Sequence, residues 1–159
     1  MKQLFKQTDE KSMVWNTGNA AFQAMIKIDS WPITVAVRCR IEQLELDYFA
    51  LLDTGAEWSV IGEDVLPLIE DQLGPPIRSL YMSTRLGRIF GELHRVNITL
   101  LTDPNQGDEL TVESTTFISE EWEGPIILGY RGFLERIRFA LDPGVTPGDQ
   151  VFYFGLAEE

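Results

Sequence analysis

The chain has 159 residues, 44% of them hydrophobic and 24% charged, with a formal net charge of −12 at pH 7. This size and balance describe one globular domain large enough to bury a core of its own. The acidity excludes nucleic acid and anionic membrane as general partners, because both require a basic surface.

In chain order, residues 1–20 are polar and mixed and are expected to form an N-terminal arm, ahead of a folded domain at 21–159. The arm lacks the apolar stretch of a secretory leader, and no later run approaches the length of a membrane span. From there the pattern is β. Residues 24–28 alternate, and 33–41 place Ile33, Val35, Val37, Cys39 and Ile41 on one face at period 2. A charged hairpin connection at 42–47 leads into 48–52, a continuous apolar run that suits a strand buried on both faces. Asp53-Thr54-Gly55 follows directly. Residues 59–62 predict a short strand and 63–69 a short helical turn limited by Pro67, with a break at Gly74-Pro75-Pro76.

Two further strands are expected at 78–82 and 92–101, joined across 83–91 by a hairpin arm with glycines at 87 and 91. After a surface turn at 103–108, residues 110–119 are again β. Gly124-Pro125-Ile126-Ile127-Leu128-Gly129 is an apolar strand ending on glycine. Residues 130–139 have helix-compatible spacing through Phe133, Leu134 and Ile137. Turns at 142–144 and 147–149 precede a terminal strand at 151–154, read as core or as a dimer strand. Residues 49–55 and 125–129 share a plan, each an apolar strand running into a glycine turn.

The chemistry is narrowed by what is scarce. Cys39 is the only cysteine and His94 the only histidine, so no intrachain disulfide forms and zinc sites of the Cys/His type lack ligands. Nucleophilic triads would each hang on a single residue, and His94 reads as a plain strand residue. There is no Walker A loop and no G-x-G-x-x-G. No cofactor and no metal are expected, and a reducing, cytoplasmic setting fits the cysteine usage. Carboxylate chemistry is what remains.

Asp53 leaves the end of an apolar strand, a costly place for a carboxylate that nothing satisfies or uses. The bland reading is a turn in which Asp53 bonds its own backbone. With its flanks, Leu51-Leu52-Asp53-Thr54-Gly55-Ala56-Glu57-Trp58-Ser59-Val60-Ile61 closely resembles the active-site loop of retropepsin-like aspartic proteases, the single-lobe relatives of pepsin. The glycine hairpin around 85–91 stands at the place of that family's flap. Ile126-Ile127-Leu128-Gly129, followed by Phe133-Leu134, is similar to its second apolar-apolar-glycine element. The resemblance spans roughly residues 33–142. It departs after the second glycine, where retroviral members usually carry arginine. Here Tyr130 stands there and Arg131 comes one later, with Glu57 as a candidate ion-pair partner. The flap also carries Arg85, Leu86 and Arg88 where small or apolar residues are common.

The resemblance implies an all-β, single-lobe acid-protease barrel with a glycine-bearing flap hairpin and one short C-terminal helix. It implies an aspartic endopeptidase in which Asp53 is catalytic and Thr54 and Gly55 support it. Ala56, Glu57, Arg85, Leu86, Gly87, Arg88 and Ile89 would bind a polypeptide substrate. That chemistry needs two carboxylates sharing a proton. The chain has a single Asp-Thr-Gly, so a homodimer is expected to bring two copies of Asp53 together. The alternative is a non-catalytic module of the same fold that dimerises or binds peptides.

Overall fold

The computed structural model describes residues 16–18, 22–24, 34–85, 87–142, 145 and 150–157. The N-terminal arm lies largely outside these, as do most of the alternating stretch 24–28, Leu86, and the turn at 147–149. Among the described residues no helix is long and apolar enough to cross a membrane.

Eleven strands are described: β1 (Asn16–Gly18), β2 (Phe22–Ala24), β3 (Thr34–Ile41), β4 (Tyr48–Leu52), β5 (Ser59–Ile61), β6 (Arg78–Thr84), β7 (Gly87–Leu100), β8 (Leu110–Ile118), β9 (Ile127–Leu128), β10 (Ile137–Asp142) and β11 (Val151–Leu156). One short helix, α1 (Leu66–Ile69), carries Pro67 in its first turn, where a missing N–H costs nothing. Six strands close on themselves in the order β3-β4-β9-β5-β8-β7, with β7 returning to β3 through Cys39↔Leu100, Arg40↔Thr99 and Ile41↔Ile98. Closure leaves the ring itself with no open edge. The all-β barrel expected from the sequence is therefore present.

The period-2 pattern explains the barrel's interior. On β3, Val37, Cys39 and Ile41 are fully buried, and β7 and β8 add Val96, Ile98, Leu100, Val112 and Ile118. Burial without a partner pushes the Cys39 thiol up to about 12, with the Asp47 carboxylate adding to the shift. The terminal strand is core: β11 sits between β1 and β10 in a second, three-stranded sheet. Phe152 and Phe154 are completely buried against one another and against Phe139.

Two elements differ from the pattern-based expectation. The segment 130–139 holds a single 3-10 turn, Leu134–Arg136, and is already strand at Ile137. Gly132 adopts a φ of +77°, which ends any helix before it propagates. The helix-like spacing arose because Phe133, Leu134 and Ile137 all plug the barrel. The strands of the expected hairpin arm run further than 78–82 and 92–101: β6 and β7 pair continuously from Arg78↔Leu93 to Thr84↔Gly87.

Two outcomes follow from this core. Phe154→Ala removes a fully buried ring and should cost about 3–5 kcal/mol in urea unfolding. The native Cys39 thiol should resist a thiol reagent at pH 8 and react fully in denaturant. Because its folded pKa is raised from 9.0 to about 12, its contribution to stability is intact below pH 9 and is lost as pH rises toward 12.

Candidate active site

Asp53 follows directly after β4, and its position is set by the strand beside it. β4 runs parallel to β9, pairing Leu51 with Ile127 and Leu52 with Leu128. The Leu51 N–H donates to the Ile126 carbonyl at 2.8 Å and the Asp53 N–H to the Leu128 carbonyl at 3.1 Å. The two segments that share a plan in the sequence thus lie side by side. Beyond Asp53 the chain turns: the Ala56 N–H donates to the Asp53 carbonyl at 3.1 Å, and the Gly55 N–H donates to Asp53 Oδ1 at 2.9 Å. One carboxylate oxygen is therefore engaged by the turn, while Asp53, Thr54 and Gly55 all remain exposed.

Gly129 clamps the far side. A Cβ there would lie 2.2 Å from the Trp58 carbonyl oxygen and 2.7 Å from the Ser59 N. Only glycine permits that approach. Its N–H donates to Ser59 Oγ at 3.1 Å, which satisfies a hydroxyl of zero exposure. Just beyond, the Tyr130 and Arg131 N–H groups donate to the Ala56 and Glu57 carbonyls at 2.9 and 2.8 Å. The Arg131 guanidinium reaches Glu57 Oε1 at 3.1 Å and lies 5.7 Å from the centre of the Trp58 ring. The arginine displaced by one place in the sequence thus does pair with Glu57. Both side chains are about 60% exposed, so the pair positions more than it stabilises.

Above the turn, β6 and the start of β7 form a hairpin arm that projects beyond the ring. Where β8 ends, the Phe90 N–H donates to Glu121 Oε2 at 2.8 Å and Ser119 Oγ donates to the Phe90 carbonyl, which pins the arm's base. The arm and the Asp53 turn enclose a cleft of about 960 Å³. Its apolar lining comes from Val60, Ile127, Leu80, Met82, Trp58 and Trp122. A small second core of Val60, Ile89, Leu93, Phe117 and Ile127 packs beneath.

Of the residues singled out in the sequence, Asp53, Gly55, Ala56, Glu57 and Arg85 line this cleft together. Thr54 is exposed beside it. Leu86 lies outside the described residues. Gly87 and Arg88 are exposed at the end of the arm, and the Arg88 guanidinium sits 4.9 Å over the Tyr81 ring. Ile89 is 9% exposed and belongs to the small core. Sequence reasoning missed Leu80 and Met82, whose signal was the alternation of β6. It also missed Trp122, which no pattern marked. The Trp122 indole N–H donates to the Pro125 carbonyl at 2.8 Å, fixing the ring against the loop that carries it.

No protein-family model matches the chain, and no curated protein matches it. Among solved structures, the EIAV protease complexed with the inhibitor HBY-793 is similar at a TM-score of 0.42 and 16% identity. The overlap covers 65% of this chain and 86% of the viral one. A likeness of this degree assigns no residue a role.

The clamp gives a stability test. Gly129→Ala forces a methyl into the Trp58–Ser59 backbone and should cost about 1–3 kcal/mol by denaturant unfolding. Glu57→Gln breaks only an exposed ion pair and should cost about 1 kcal/mol or less in the same measurement.

Proposed function

We propose that the protein is an aspartic endopeptidase of retropepsin type, active as a homodimer with one Asp53 from each copy. The observation that carries this is the setting of Asp53. It is a carboxylate held by a backbone turn, exposed, and lining a cleft roofed by a hairpin arm. The other carboxylate lining that cleft, Glu57, is engaged by Arg131. The chain thus offers half of an acid–base pair on a surface open to a second copy.

In the proposed dimer the two Asp53 carboxylates meet on the twofold axis. Two such groups about 3 Å apart cannot both ionise, so they share a proton and titrate as a pair. The ionised member draws a proton from a water. The protonated member donates to the carbonyl oxygen of the scissile peptide as the water adds, which gives a tetrahedral intermediate. The Gly55 N–H, already on Asp53 Oδ1, keeps the carboxyl plane fixed during the transfer. Thr54 braces the opposite loop, and Ala56 and Glu57 bind substrate backbone. The hairpin arm closes over an extended peptide as an added strand, with Arg85 to Ile89 at its end.

Asp53→Asn is expected to abolish cleavage of an unfolded protein at every pH from acidic to neutral while leaving the fold intact by circular dichroism. Equal cutting by the variant would sink the aspartic mechanism. Sedimentation should show a dimer under active conditions. Acid should favour assembly, since two copies of formal charge −12 repel one another near neutrality.

A further inference from the structure

Charge is distributed unevenly along this chain. It holds 25 acidic residues against 13 lysines and arginines, yet residues 72–91 contain Arg78, Arg85 and Arg88 and no acid. That segment is the hairpin arm with its lead-in. Elsewhere four arginines hold carboxylates, and Arg136 donates to the Glu113 carbonyl. Arg38 holds Asp103 at 2.8 Å, Arg40 holds Asp47 and Glu109, Arg95 holds Glu113, and Arg131 holds Glu57. On the arm, Arg88 is stacked on Tyr81. Arg85 is exposed, lines the cleft, and among the described residues pairs with no carboxylate.

Arg85 is also the one basic group in a lining whose other charged members are Asp53 and Glu57. In an acidic protein, a guanidinium left without an acid at the edge of a binding cleft is a receptor for an incoming carboxylate. We infer that the cleft selects extended peptides carrying an aspartate or glutamate within a few residues of the bond to be cut, with Arg85 as the recognising side chain. This rests on the peptidase reading above and names the substrate class for it. The overall charge of −12 repels an acidic peptide at a distance. The arginine-only arm reverses that field locally, which makes the selection short-ranged and sensitive to salt.

The test is a peptide set built on one apolar cleavage core, with Glu, Gln or Lys placed in turn at each of several flanking positions. For at least one position, kcat/KM at neutral pH should favour Glu over Gln by about tenfold, and Lys should be the poorest. In Arg85→Gln the Glu-to-Gln ratio should fall to about 1, and in Arg85→Glu it should invert in favour of Lys. Arg95→Gln makes the same charge change on the barrel away from the cleft and should keep the wild-type ratio. Raising the salt to about 1 M should shrink the ratio. A ratio near 1 in the wild type at every position, or one unchanged in Arg85→Gln, overturns the inference. If no Asp53-dependent cleavage is found, the peptidase reading fails separately. Anisotropy of the labelled peptides bound to Asp53→Asn then decides. An Arg85-dependent preference for Glu supports the recognition role, and equal affinities refute it.

Discussion

The parallel pairing of β4 with β9 is the constraint on which the site depends. Parallel neighbours need a long crossover connection, and here the whole of β5 to β8 lies between the two strands. The connecting chain, residues 53–126, must therefore return correctly for Asp53 to acquire its Leu128 partner. The reward is a carboxylate placed by main-chain bonds rather than by a flexible side-chain network. Its own N–H and the Ala56 N–H bond backbone carbonyls, the Gly55 N–H bonds its carboxylate, and Gly129 packs on the Trp58–Ser59 backbone. In the proposed mechanism, an acid sharing a proton with its twin would need fixed geometry more than burial.

The same economy divides the chain into a closed barrel and a hairpin arm that extends from it. The barrel is closed and its interior filled, so it offers little freedom near the turn. The arm beyond Phe90 is held by its own hairpin ladder and by the Ser119 and Glu121 contacts at its base. Leu80 and Met82 face the cleft on an apolar underside that packs on the small core without being buried. A two-stranded ribbon with one half-buried face is marginal by itself. With its lead-in the arm also carries Arg78, Arg85 and Arg88 and no acid.

Much of this was legible in the sequence, and the failures have physical causes. Alternation on β3 and the apolar run of β4 both marked strands, but β4 is not buried on both faces as its run suggested: only Ala50 is fully buried and Phe49 is 53% exposed. The Asp-Thr-Gly turn was legible as a polar break at the end of an apolar strand. Residues 130–139 misled because a plug of Phe133, Leu134 and Ile137 has helical spacing while the backbone between them follows Gly132 and the β11 register. The strand expected at 78–82 is present, and one of its faces meets solvent, so Ser79, Tyr81 and Ser83 are exposed while Leu80 and Met82 are half-buried. Trp122 could not be read at all. Its place in the cleft depends on a loop whose geometry is set by contacts with Gly62 and Gly124, distant and near in sequence respectively.

The second sheet bears on how two copies could meet. β11 is paired on both edges within one chain, to β1 and to β10. Its aromatic side chains are spent on the core. Along Phe152–Phe154 that strand has no free edge within the chain. The surface that remains open beside Asp53 is Thr54, Gly55, Glu57, Tyr130 and Arg131, joined by the Ala56 and Glu57 carbonyl bonds into one platform. Tyr130 is 51% exposed, a large ring facing water near the Asp53 turn. A twofold contact through this platform would cover the ring, desolvate the Arg131–Glu57 pair and bring the two carboxylates together in one step. In the proposed dimer, assembly and formation of the acid–base pair would then be a single event, because one surface would serve both.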